Sequence, residues 1–347
     1  MGYRGVSDFR SDTVTRPTRA MYQAMMDAPV GDDSFRDDPT VLKLEQMAAA
    51  VIGKEAAMLC VSGTMANQVA IRTHCRPGQE VILEESSHIL NHEAGGAGLA
   101  MVQTRPVAGK SGVMDPGEVK GRVRSGGTHA PSTGLICLEN THNAAGGVVL
   151  AQDTVLEVVK VARDANIRVH LDGARIFNAQ AASGVPAKEL AAPADSLMFC
   201  LSKGLGCPLG SLLCGSREFI DRARHVRQGM GGGMRQAGVI AACGIVALEE
   251  SIARIVEDHR RAKRLSEGLA RIPSLEIDAS KVETNMVYFG VKKGCRATLR
   301  SIVESARAAG VLLAQANEVQ IRMVCHQDID DGDVEKAVWV IERGSCQ

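Results

Sequence analysis

The chain has 347 residues, 45% of them hydrophobic and 23% charged, an ordinary globular composition long enough for one large α/β domain with a smaller companion. Its 40 Lys+Arg balance 40 Asp+Glu, so the basic footprint of a nucleic-acid binder is missing, and no apolar run approaches the roughly 20 residues of a membrane span. The ten cysteines are scattered without a CxxC pair; reduced thiols in a cytoplasmic protein are the expectation.

The start, MGYRGVSDFRSD, lacks the apolar stretch of a secretory signal. Residues 8–19, DFRSDTVTRPTR, read as an extended arm and a helix start, with Ser11, Asp12, Thr13 and Thr15 close together. The turn-rich PVGDDSFRDDP then leads to Asp38 as N-cap and Pro39 at the first helical position. A helix with Val41, Leu44, Ala48 and Val51 at helical spacing runs to about Ile52 and stops at Gly53. Residues 57–62 form an apolar strand followed by Gly63, Thr64 and a helix, the arrangement in which free helix N–H groups bind a phosphate. The strand EVILEE gives way to Ser86, Ser87 and His88, then to glycine-rich HEAGGAG.

GGTHAPSTG, residues 126–134, reads as a surface loop, and Leu135–Leu138 as a strand ending in ENTHNAAGG. A helix from about Asp153 to Ala165 precedes the strand Ile167–Leu171, which ends at Asp172. In ADSLMFCLSKGLG an almost wholly apolar strand, Ser196–Ser202, delivers Lys203 into a glycine-bounded turn. Cys200, Cys207 and Cys214 recur evenly, but across strand, turn and strand rather than at zinc-ligand spacing, so no metal site is expected. The alternation of strands and helices argues for βαβ units in a mainly parallel sheet. From about Val239 a long charged helical stretch begins, and with short strands and two further helices residues from roughly 250 to 347 form a small α+β domain. The division expected is 1–250, arm plus large domain, and 251–347.

Asp172 and Lys203 end successive strands, so both side chains reach one carboxyl edge of the sheet, where open α/β sheets bind ligands. Desolvation there disfavours an ammonium, which leaves a lysine amine able to form a Schiff base. A carboxylate beside such a lysine is the requirement of pyridoxal 5′-phosphate, whose ring accepts electrons while its nitrogen is kept protonated.

FRSDTVTRP, GDDSFRDDPTV, SGTMANQ, LENTHNAAGG, VHLDGARIFNA, FCLSKGLG, GGGMRQAG and VETNMV resemble the low-specificity threonine aldolases, in the β-eliminating-lyase group of fold-type-I pyridoxal-phosphate enzymes. The resemblance runs from about residue 8 to beyond Arg322 and implies that fold, with a large mainly parallel sheet domain and a smaller C-terminal domain. It implies retro-aldol cleavage of L-threonine or L-allo-threonine to glycine and acetaldehyde. Lys203 would hold the cofactor, Asp172 would pair with the ring nitrogen, and His88 would stack on the ring. Gly63 and Thr64 would take the phosphate, with Arg235 as a further phosphate contact near a subunit boundary. Arg175 would reach the cofactor and the substrate carboxylate, which Ser11 and Arg322 would also hold. His142 would meet the substrate hydroxyl, and His88, His142 or a water activated by either is the candidate base.

A homo-oligomer, dimer or dimer of dimers, is implied too, and zero net charge offers little repulsion against it. One motif departs from the pattern: Phe35 and Arg36 stand where an aromatic Tyr followed by Gly is usual. Two other readings are another pyridoxal-phosphate lyase acting on β-substituted amino acids and a non-catalytic scaffold keeping the fold.

Overall fold

A computed structural model describes residues 5–345. The chain divides into two compact units, Pro17–Ile252 and a second that joins the chain start, through Arg16, to Ala253 and all that is described after it. The arm therefore belongs with the C-terminal unit rather than with the large domain where the sequence reading put it. The reason is backbone pairing: Ser7–Asp8 runs parallel to Val311–Leu312, and Phe9 enters that unit's apolar core beside Leu265, Phe289, Ile302 and Met323.

In the larger unit seven strands make the main path of one sheet: β1 (Ala56–Cys60), β2 (Glu80–Glu84), β3 (Gln103–Val107), β4 (Ala130–Glu139), β5 (Arg168–Asp172), β6 (Ser196–Cys200) and β7 (Ser211–Gly215). Their order is β1-β7-β6-β5-β4-β2-β3. Only β7 runs antiparallel to its neighbours on this path; the other pairings are parallel. The six remaining strands therefore end on the same edge. Every residue of β2, β6 and β7 is buried, as expected of strands covered on both faces.

The expected helix occupies Pro39–Ile52. Asp38 accepts from the amides of Thr40 and Val41 at 3.1 and 3.0 Å, and Gly53 ends it at φ 69°, a left-handed turn natural to glycine. The loop expected at 126–134 is instead a hairpin, in which Ser125–Gly127 pairs antiparallel with β4. Polar residues hid the strand, and Gly126 at φ 84° supplies the backbone freedom. The edge strand β3 also went unread, because Pro106 interrupts its pattern. The long charged helix is Gly238–Val246 and Ile252–Ala270 joined by a wider π-helical turn at Ala247–Ser251.

The C-terminal unit builds an antiparallel sheet from β8 (Leu275–Glu276), β9 (Met286–Val291), β10 (Ala314–Gln315) and β11 (Ile321–Val324), in the order β8-β9-β11-β10. Helices Leu299–Ala308 and Asp331–Ser345 belong to the same unit. All nine cysteines among the described residues are free thiols, and no described helix is long and apolar enough to cross a membrane.

Candidate active site

Register brings the predicted pair together. Met198 of β6 pairs with Asp172 of β5, so Lys203, just beyond β6, and Asp172 leave adjacent parallel strands at one edge. Glu139 pairs with Asp172 from the other side, on β4. The charges of Lys203 and Asp172 both act on the His88 imidazole. One ligand atom each of His88, Glu93 and Asp172 lies within 4.8 Å of the others.

His88 opens a short helix, His88–Asn91. Its amide donates to Glu139 Oε2 at 2.6 Å, and its Nδ1 meets Glu93 Oε1 at 3.1 Å. Burial opposes the imidazolium and Lys203 repels it, but the Glu93 bond and the Asp172 charge outweigh both, so its pKa is raised. Glu93 is buried and also accepts from Gln68 Nε2 at 2.7 Å and Asn67 Nδ2 at 2.8 Å. The same Asn67 nitrogen donates to Asp172 Oδ2 at 2.8 Å. Asp172 Oδ1 accepts from the Ala174 amide at 3.0 Å.

His142 is fully buried. Its Nδ1 accepts from the Ala145 amide at 3.3 Å, which puts the proton of the neutral ring on Nε2, 3.1 Å from Glu84 Oε2. Burial again opposes charge, yet the Glu84 bond and the surrounding carboxylates raise its pKa. Glu139 accepts from the Asn143 amide at 2.8 Å as well as from His88, so one carboxylate fixes both histidine-bearing loops. Burial first, and then the Asp172 charge, push its pKa up. Arg175 joins through Nη1, 3.4 Å from Asn143 Oδ1.

The helix Gly63–His74 begins at the same edge. Ser62 Oγ accepts from Met65 N at 3.1 Å, while the Gly63 and Thr64 amides have no acceptor within a first helical turn. Gly63 packs against the Lys203 strand so closely that a Cβ would stand 2.8 Å from Cys200 Sγ. Gly232 of the glycine-rich segment approaches the same turn, where a Cβ would stand 2.5 Å from Met65 Sδ. Arg235, further along that segment, is exposed and pairs with Asp32 of the GDD loop at 3.4 Å. In that loop Arg36 sits at φ 60°, the left-handed backbone that glycine would adopt without strain.

In the C-terminal unit Ser11 caps the turn Asp12–Val14, accepting from Thr13 N at 3.2 Å. Arg322 of β11 donates from Nη2 to the Arg10 carbonyl at 3.2 Å, so it and Ser11 flank one short stretch of backbone. The sequence reading missed Asn67, Glu84, Glu93 and Glu139. Glu84 was findable, since it closes the strand before His88, and so was Glu93, within HEAGG. Asn67 carries no signal beyond its place near the start of a helix.

The chain has the fold of the fold-type-I pyridoxal-phosphate enzymes, with Lys203 and Asp172 leaving adjacent strand ends. The chain is similar in structure to Leishmania major threonine aldolase, at 16% identity and TM-score 0.82 over 97% of this chain and 99% of that one. It is also similar to a structure of SPT with PLP, at 14% identity and TM-score 0.76 over 98% and 87%. Within that fold the chain belongs to the β-eliminating lyase family, whose pattern it matches over residues 8–292. It is 44% identical over 324 residues to the low specificity L-threonine aldolase of Escherichia coli K12, covering 93% of this chain and 94% of that one. Against low-specificity L-threonine aldolase 1 of Arabidopsis thaliana it is 43% identical over 332 residues, 94% of this chain and 93% of that one.

Proposed function

We propose that this chain is a pyridoxal-phosphate-dependent aldehyde-lyase that cleaves L-threonine and L-allo-threonine to glycine and acetaldehyde. The observation that carries this is the departure of Lys203 and Asp172 from adjacent parallel strands beside His88, in a chain so similar to threonine aldolases. The residues fit the cofactor chemically. The Lys203 amine can carry it, Asp172 suits a protonated ring nitrogen, and the Gly63 and Thr64 amides at a helix N-terminus suit its phosphate. When bound, pyridoxal phosphate accommodates the electron pair released as the substrate Cα–Cβ bond breaks.

The protein's own groups do the rest. Donation of Nδ1–H to Glu93 leaves the neutral His88 lone pair on Nε2, where it can take the β-hydroxyl proton. His142, with its Nε2 proton on Glu84 and its Nδ1 accepting from the Ala145 amide, gives up one of these bonds to hold that hydroxyl. Arg175, Ser11 and Arg322 are the proposed carboxylate-binding groups, arginine being suited by its planar fork of donors, and Arg235 remains the proposed phosphate contact. The reading includes a cytoplasmic homo-oligomer, a dimer or dimer of dimers. Free thiols support a reducing compartment, and exposed Tyr22, Met26, Phe35, Leu99 and Met101 support subunit burial.

The test is borohydride reduction of the cofactor-loaded protein with peptide mapping, beside product analysis from threonine. A pyridoxyl label on Lys203 with glycine and acetaldehyde in equal amounts is expected. 2-Oxobutyrate and ammonia instead would select a β-eliminating lyase, and a label on another lysine would overturn the site.

A further inference from the structure

A line of polar side chains leads away from Asp172 into the interior, set there by the periods of two elements. Alternate strand residues share a face, so His170 and Asp172 of β5 point one way and Val169 and Leu171 the other. On Gly63–His74, Asn67 and His74 stand about two turns apart on one side. Ser196 of β6 pairs with His170 in the parallel ladder. The contacts run from His74 Nε2 to Ser196 Oγ at 2.8 Å and from Ser196 Oγ to His170 Nδ1 at 2.8 Å. They continue from His170 Nε2 to Asn67 Oδ1 at 3.0 Å and from Asn67 Nδ2 to Asp172 Oδ2 at 2.8 Å. Asn67, His170 and Ser196 are 1%, 0% and 0% exposed, so their protons need acceptors inside the protein.

That requirement gives the line a direction. Asn67 Nδ2 faces the carboxylates of Glu93 and Asp172, which accept and do not donate when ionised. The amide oxygen must therefore face His170, and because it only accepts, His170 carries its proton on Nε2. Burial depresses the His170 pKa to about 4, so the ring is neutral and its bare Nδ1 takes the Ser196 hydroxyl proton. With that proton committed, Ser196 Oγ accepts from His74 Nε2–H, and burial likewise keeps His74 neutral, its pKa pushed down to about 3. Every donor in the line points toward Asp172.

We infer that Asn67, His170, Ser196 and His74 are positioning residues, a one-way hydrogen-bond chain that ends on Asp172 Oδ2 and holds that carboxylate ionised and aimed at the cofactor's ring nitrogen. The inference rests on the reading of Asp172 as the ring-nitrogen partner. Hydrogen bonds donated to a carboxylate favour its charged form, and successive bonds in a buried chain polarise one another. Asn67 has a second duty, since it spaces Asp172 from Glu93; His170 and Ser196 touch neither the cofactor's proposed groups nor the substrate's.

The experiment uses enzyme loaded with pyridoxal phosphate carrying nitrogen-15 in its ring and reads the ring-nitrogen NMR shift, alongside kcat and KM. Wild type should show the protonated position. His170→Leu should move the signal toward neutral pyridine and lower kcat about fivefold, the worth of one neutral hydrogen bond, with KM nearly constant. Ser196→Ala should move it the same way by less. His170→Gln, whose amide N–H can stand where Nε2–H stood, should restore the wild-type shift. Unchanged ring shifts in cofactor-loaded Ser196→Ala and His170→Leu overturn the inference; should His170→Leu not fold, Ser196→Ala and His170→Gln decide it. A neutral ring nitrogen in wild type would instead remove Asp172 from its assigned role, a separate failure.

Discussion

Around Asp172 the polar side chains are shut away from water and satisfy one another: Asn67 joins Asp172 to Glu93, Glu139 ties down the His88 and His142 loops, and Glu84 holds His142. Among Arg260, Arg264, Asp331 and Glu335 of the other unit, charges meet in the open. Arg260 reaches Asp331 at 2.7 Å and Arg264 reaches Glu335, with side chains 44–67% exposed. The first arrangement has few alternatives, because a buried group that loses its partner keeps the full cost of its desolvation. The second is backed by water at every contact, so each pair contributes little. Geometry precise enough for chemistry belongs to the first kind, and the sheet edge is built from it.

Breaking that edge should have the largest effect. Asp172→Asn removes the charge but not the shape, and turnover should fall about ten- to hundredfold, the range of a lost charge-assisted bond. Steady-state kinetics with cofactor occupancy checked by absorbance measures it; full turnover at full occupancy would show that the edge does not depend on this charge.

A smaller effect sharpens the contrast through pH. The raised pKa of His142, from an ordinary 6.5, means its contribution to stability is complete below about that value and is lost as pH rises through the folded-state value. Glu84 shifts the other way from 4.5, its His142 and Ser86 bonds outweighing its burial, so its contribution is present above that value and lost as pH falls through the lowered one. The Tm gap between wild type and Glu84→Gln should therefore be widest between about pH 4.5 and 6.5 and shrink on the alkaline side. A gap that stays flat from pH 5 to 9 would mean that the pair does not titrate with folding.

The smallest change belongs to the exposed charges. Arg264→Ala should alter Tm by about 2 °C or less and leave kcat alone. A loss comparable to that of Glu84→Gln would erase the distinction between the two regions.

Much of the site was legible because strand ends are. A buried apolar run that stops at Lys203, and another that stops at Asp172, announce themselves in one dimension, as do the cap at Asp38 and the turn at Gly63. The residues behind them do not. Asn67 looks like any helical asparagine, and Glu93 and Glu139 like any loop or strand-end acids. The hairpin at 125–139 was hidden by polar and glycine residues, and the arm's attachment to the C-terminal unit depends on pairing with Val311–Leu312, some three hundred residues away by sequence number.

By itself, then, the sequence determined the alternation of strands and helices, the carboxyl-edge placement of Lys203 and Asp172, and the family pattern, because hydrophobic period and turn chemistry are local. Only the tertiary structure decided which face of β5 meets which face of Gly63–His74. It also decided which acids converge on His88 and His142, and which way each buried proton points. Those are matters of register between segments far apart in the chain, and a buried hydrogen bond has no meaning until both of its partners have been brought to the same place.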